Sequence, residues 1–184
     1  AMMLALNHPE KLRRLVVADI APVPYQHTQM GPLNAMRNVD PNVVASRSEA
    51  KQLLGELEPG LADFLLQSLD LKGKRWRLNL DVLAADMAQI VGFPQVTGAF
   101  MGPTLFLTGA DSNYVLPAHR PVIKSLFPNA KFAKIPDASH WLHAQKPREF
   151  AAAVTAFAVA SRPSCPSASS ARIKTAIREP PLRL

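Results

Sequence analysis

The sequence predicts an α/β fold built on parallel strands, and three observations carry that prediction. The continuous apolar run Leu15 to Ala18 is flanked by charge and closed by Pro22, the pattern of a central parallel strand buried on both faces. From Pro103 onward, strand-like and helix-like patterns alternate twice. Between these parts, residues 27 to 93 carry helical periodicity. Strand, helix, strand, helix in that order implies right-handed crossovers between parallel strands, with any site at the strands' carboxyl ends.

The elements follow in order. AMMLALNHPEKL opens as an apolar helix that stops near His8, because Pro9 disfavours helical geometry in the residue before it. RRLVVADIAPV is the first strand. GLADFLLQSL repeats apolar side chains at Leu61, Phe64, Leu65 and Leu69, a helical stripe. LDVLAADMAQIV does the same with Leu80, Leu83, Ala84, Met87 and Ile90 or Val91. The polar DLKGKRWRLN between them breaks at Gly73 and predicts a turn or short extended link. PTLFLTG is a short apolar strand ending in glycine, PAHRPVIKSLF a helix with Pro117 near its start, AKFAKIP another strand and KPREFAAAVTAFAVA a closing helix.

Composition bounds the classes. At 184 residues the chain has the length of one domain, enough to bury roughly 70% of its unfolded surface. Apolar residues at 48% and charged residues at 19% exclude a wholly disordered chain, and no run is long enough for a membrane span. The single cysteine, Cys165, cannot form an intrachain disulfide, which favours the cytoplasm. Residues 161–184 hold five basic residues against one acid, so they account for +4 of the formal charge of +7. A nucleic-acid footprint needs basic residues clustered on a folded surface, so none is predicted. Five serines and four prolines in those 24 residues predict a disordered basic tail.

Chemistry is expected at three strand ends: Asp19 to Pro22, Gly109 to Val115, and Asp137 to His143. In IPDASHWLHAQKPREF a histidine follows a strand through a small-residue loop and precedes a helix, where an imidazole can exchange a proton and be oriented by a carboxylate. The five histidines are scattered and predict no metal site, and no cofactor motif is present.

LVVADIAPV, FLLQSLDLKGKRWRLN, PTLFLTGADSNYV and DASHWLHAQKP, in this order over about residues 1 to 158, resemble the α/β-hydrolase superfamily, and within it small bacterial esterases of the YbfF type. The resemblance implies a partial doubly wound α/β-hydrolase sheet, its last three strands, with residues 1–25 and 100–160 as core and 26–99 as a helical cap. It implies a serine nucleophile, a histidine base and an acid. His140 matches the base. The common position of the acid, three residues after Gly109, holds Ser112, which cannot serve; the YbfF-type arrangement puts the acid in ADIAPV, making Asp19 the first assignment and Asp111 the alternative. His143 is expected near the site without acting as base. Phe64, Leu65, Trp76, Leu83 and Trp141 are expected either to pack cap against core or to contact a small-molecule ester or thioester.

One departure matters more than these matches. No Gly-x-Ser-x-Gly turn occurs in the sequence. Alignment with the family puts the serine about six residues before Ala1, so the chain is expected to carry the acid and histidine of a serine esterase without its nucleophile, and to be inactive alone. LVVADI would then lie beside an unpaired edge, to be completed by a partner or a preceding segment. The alternative is a non-catalytic hydrolase-fold fragment whose basic tail does the binding.

Overall fold

The structure is a computed structural model that describes residues 1–26, 28–58 and 60–160. Residues 161–184, Cys165 among them, lie outside the described residues, as does His27. Helix α1 spans Met2–Asn7 and ends before Pro9, and strand β1 is Leu15–Ala18. Strands β4, Thr104–Gly109, and β5, Ala130–Ile135, complete a parallel sheet in the order β1-β4-β5. Leu15 pairs with Thr104 and Ala18 with Leu107, while Thr104 pairs with Ala130 and Gly109 with Ile135. Among the described residues β1 has β4 on one side and no strand on the other.

Alternation along the strands builds two apolar layers. Leu15, Val17 and Phe106 face α1 and α7 (Arg120–Leu126), where they meet Ala5, Leu6, Ile123 and Phe127. Val16, Leu105, Leu107 and Ile135 face the opposite way, against Leu142 of α8 (Leu142–Gln145) and the stripe Phe150, Ala153, Val154 and Phe157 of α9 (Pro147–Val159). That stripe has the i, i+3, i+4, i+7 spacing of one helical face. The Arg14 guanidinium, just before β1, lies 5.6 Å over the Phe157 ring and donates to the carbonyl of Ala160, pinning the end of α9 to the sheet. A cation there also complements the helix dipole.

A third apolar cluster belongs to the segment inserted between β1 and β4, the insert. It joins Met36 of α2 (Met30–Arg37), Ala50 of α3 (Arg47–Leu53), Leu66 of α4 (Leu61–Leu66), and Val39, Val44, Leu54 and Leu69. Two sequence expectations change here. The stripe ending at Leu69 is not one helix: α4 ends at Leu66, and Leu69 enters a hairpin of β2 (Leu69–Asp70) and β3 (Arg75–Trp76). The Gly73 turn that closes it is held by an N–H···Oδ1 bond of 2.9 Å to Asp70. The second stripe is broken at Asp86 into α5 (Leu80–Ala85) and α6 (Met87–Val91), so Leu80 packs on the insert's core while Met87 and Ile90 turn toward a cleft.

Candidate active site

Three loops at the carboxyl ends of β1, β4 and β5 converge. At the end of β1 the chain turns abruptly: Asp19 has φ +48°, a left-handed conformation that aspartate tolerates better than most residues. Its N–H still donates to Leu107 O at 2.9 Å, so the backbone stays tied to β4 while the carboxylate is fully buried over the strand ends. After β4, Ala110 N–H donates to Ile135 O at 2.9 Å and Asp111 N–H to Ala138 O at 3.0 Å, which fastens this loop to the next one. After β5, Asp137 takes φ +49° and Ser139 N–H donates to Gln145 Oε1 at 2.7 Å, so the last residue of α8 caps the loop that carries His140.

These turns bring His140 Nδ1 to 2.9 Å from Asp19 Oδ2. An ionised carboxylate can only accept, so Nδ1 carries the shared proton and Nε2 is left as the basic nitrogen. Ser112 Oγ donates to the same Oδ2 at 2.5 Å, and Asp19 Oδ1 is buried with no hydrogen bond among the described residues. A buried carboxylate depends on such donors to offset its lost hydration.

The sequence candidates separate accordingly. Asp19 and His140 meet; Asp111 is exposed, engages through its backbone, and makes no described contact with the imidazole. Ser112, three residues after Gly109, donates to Asp19. A cleft of about 800 Å³ opens beside His140 and is lined by Phe64, Leu65, Leu83 and Trp141, with Trp141 edge-on to Phe64 at 5.3 Å. Trp76 is elsewhere: half-buried, it packs on the insert's apolar cluster, and its Nε1–H donates to Val39 O at 3.2 Å, which gives the part of the indole taken from water a partner for that proton. His143 is exposed, with its ring 5.9 Å from Trp141. Among the described residues no three His, Cys, Asp or Glu side chains gather as a metal site, and no helix is long and apolar enough to cross a membrane.

Sequence reasoning missed two tyrosines. Tyr114 stacks on His140 with ring centroids 3.8 Å apart and planes at 13°. Tyr25 Oη accepts from Ala21 N–H and donates to Tyr114 O, both at 2.8 Å. The signal was the placement of Tyr114 two residues beyond Ser112, in a strand-end loop already under suspicion. Burial is the main cause that raises both phenols above their ordinary 10.0; the Asp19 carboxylate adds to it for both and Glu58 for Tyr114. The fold therefore holds both phenols protonated. Their contribution to stability is complete below about pH 10 and is lost as pH rises through the raised values. Since these are the chain's two tyrosines, absorbance at 295 nm reads them directly. Phenolate formation is expected at higher pH in the native chain than in urea; coincident curves would contradict the burial argument.

No protein-family model matches the chain. It is 44% identical over 168 residues to the sn-1-specific diacylglycerol lipase ABHD11 of Mus musculus, covering 85% of this chain and 54% of that protein. It is 34% identical over 152 residues to the esterase YbfF of Escherichia coli strain K12, covering 79% of this chain and 58% of that protein. Among solved structures, a marine microorganism esterase superposes with a TM-score of 0.80 at 33% identity, over 85% of this chain and 65% of the other. The chain thus spans about half the length of the curated relatives it matches.

Proposed function

The chain belongs to the α/β-hydrolase superfamily, and from that premise we propose that His140 and Asp19 are the base and the acid of a serine-dependent ester hydrolase whose nucleophile is supplied from outside these 184 residues. The observation that carries the proposal is the 2.9 Å contact between His140 Nδ1 and a fully buried Asp19 at the mouth of an apolar cleft. With Nδ1 fixed as donor, Nε2 takes the serine proton as the serine oxygen attacks the ester carbonyl, and returns it to the departing alkoxide. The same nitrogen then draws a proton from water as the water oxygen attacks the acyl-serine, and gives that proton to the departing serine oxygen as the carboxylic acid is released.

The walls of the cleft favour an apolar acyl or alcohol group. Phe64, Leu65, Leu83 and Trp141 are joined there by Met36 and Met87, flexible side chains that adapt to irregular apolar shapes. A thioester satisfies the same chemistry, since the carbonyl carbon is the electrophile in both.

The test is a complementation. The 184-residue chain is expected to give no stoichiometric burst of p-nitrophenolate from p-nitrophenyl esters. Joined at Ala1 to the serine-bearing segment of the E. coli esterase YbfF, it is expected to give one, and His140→Ala to remove it. A burst from the chain alone, or one that survives His140→Ala, would overturn the proposal.

A further inference from the structure

His140 is 41% exposed at its side chain and is held to the protein by one hydrogen bond, through Nδ1. One bond fixes a point on the ring but leaves rotation about the Nδ1···Oδ2 line open. General-base catalysis needs the plane as well, because Nε2 must face the proton it abstracts within about 10–20° of the productive direction. The ring stacked on the imidazole is Tyr114, at 3.8 Å and 13°, with Trp141 edge-on at 6.4 Å.

Tyr114 is itself fastened at both ends of its backbone. Its N–H donates to Ser112 Oγ at 3.2 Å, and its carbonyl accepts from Tyr25 Oη at 2.8 Å. Tyr25 Oη in turn accepts from Ala21 N–H, two residues beyond Asp19. The contacts close on themselves: Asp19 holds His140, His140 stacks on Tyr114, Tyr114 is bonded to Tyr25, and Tyr25 is bonded to the Asp19 turn. The two rings of the tyrosine pair also touch, with centroids 5.5 Å apart. Outside the circuit, Tyr25 N–H donates to Val91 O at 3.0 Å, the last residue of α6, which anchors it to the insert that walls the cleft.

We propose that Tyr114 and Tyr25 are positioning residues: the Tyr114 ring holds the plane of the His140 imidazole against Asp19, and the Tyr25 hydroxyl locks Tyr114 to the Asp19 turn. The proposal rests on His140 being the base of the site described above. The Tyr114 face also suits the imidazolium that forms when the base takes a proton, through the attraction of a cation to an aromatic ring. The Tyr114 hydroxyl is engaged by the Gln29 side chain, whereas the Tyr25 hydroxyl joins the Asp19 turn to the Tyr114 backbone, so removal of the Tyr25 hydroxyl is predicted to disturb the imidazole and removal of the Tyr114 hydroxyl is not.

The experiment is proton–nitrogen NMR of the imidazoles in the full 184-residue chain, with solvent exchange of the His140 Nδ1–H as readout and the thermal midpoint recorded beside it. Tyr114→Phe is expected to leave that exchange unchanged. Tyr114→Leu and Tyr25→Phe are expected to accelerate it by at least about tenfold, the population change that corresponds to losing one ordinary hydrogen bond. Should Tyr114→Leu unfold the chain, Tyr25→Phe decides, since it keeps both rings. Unchanged exchange in Tyr25→Phe, or equal acceleration in Tyr114→Phe and Tyr114→Leu, would overturn the proposal. Asp19→Asn separates this from the acid–base assignment: if that variant leaves the Nδ1–H untouched, both fall; if it alone abolishes the signal, only the positioning role falls.

Discussion

Asp19→Asn is expected to lower kcat of the serine-complemented chain by about 10⁴-fold, the scale set when an amide replaces the acid of a serine triad, while leaving the fold intact. The reason lies in the donors around Oδ2. In the native chain this one oxygen accepts from both His140 Nδ1 and Ser112 Oγ. If the amide nitrogen of asparagine takes that place, it faces His140 as a donor, so the imidazole moves its proton to Nε2 and ceases to be a base toward serine. If the amide oxygen takes it, the tautomer survives but the negative charge that stabilises the imidazolium is gone. The geometry is kept in both cases, because asparagine also tolerates the left-handed backbone at φ +48°. The check is kcat together with the NMR tautomer of His140; retention of more than about a tenth of the activity would show that another group orients the ring. Asp111→Asn, at an exposed carboxylate that makes no described contact with His140, is expected to leave kcat within about twofold.

The parts of this fold that could be read from the sequence are those in which local pattern and burial agree. Leu15 to Ala18 reads correctly as a strand, but not as one buried on both faces: Leu15 and Val17 are buried, while on the other face Val16 is half-buried and Ala18 exposed; the α9 stripe from Phe150 to Phe157 reads as a helix because one face packs on the sheet. Leu69 misleads: it falls at helical spacing from Leu61 and Leu65, yet it is buried as the first residue of a hairpin whose partner, Trp76, pairs with it across the turn at Gly73. Periodicity records that a side chain is buried and is blind to which neighbour buries it. Trp76 illustrates the limit at the site, since its size and position in the insert suit a cleft wall equally well, and only the hydrogen bond of Nε1 to Val39 O assigns it to the insert's core. His140 and Asp19 were accessible through the resemblance of their segments to a family. Tyr25 and Tyr114 were not, because their roles arise from a stack and two hydrogen bonds between loops 89 residues apart.

Gly109→Ala tests whether the close approach of the loops is what assembles the site. Gly109 ends β4, opposite Ile135, where the loop leading to His140 crosses directly above it. A Cβ built there would stand 2.3 Å from the carbonyl oxygens of both Ala138 and Ser139, contacts with backbone that no side-chain rotation relieves. The space, and not the backbone conformation, demands glycine at this position. To admit a methyl group, the 136–141 loop has to lift, against the Asp111 N–H to Ala138 O bond on one side and the Gln145 cap of Ser139 on the other. Overpacking of this kind costs about 3 kcal/mol, at the upper end of the usual range, and lowers the thermal midpoint of a chain this size by roughly 6–12 °C. Lifting the loop also carries His140 away from Asp19, so the signal of the bonded Nδ1–H is expected to disappear well below the midpoint. A variant that loses stability but keeps that proton would mean that the loop yields between Ala138 and Ser139 while the histidine stays seated, and that the Asp19 and Tyr114 contacts outweigh the strain below them.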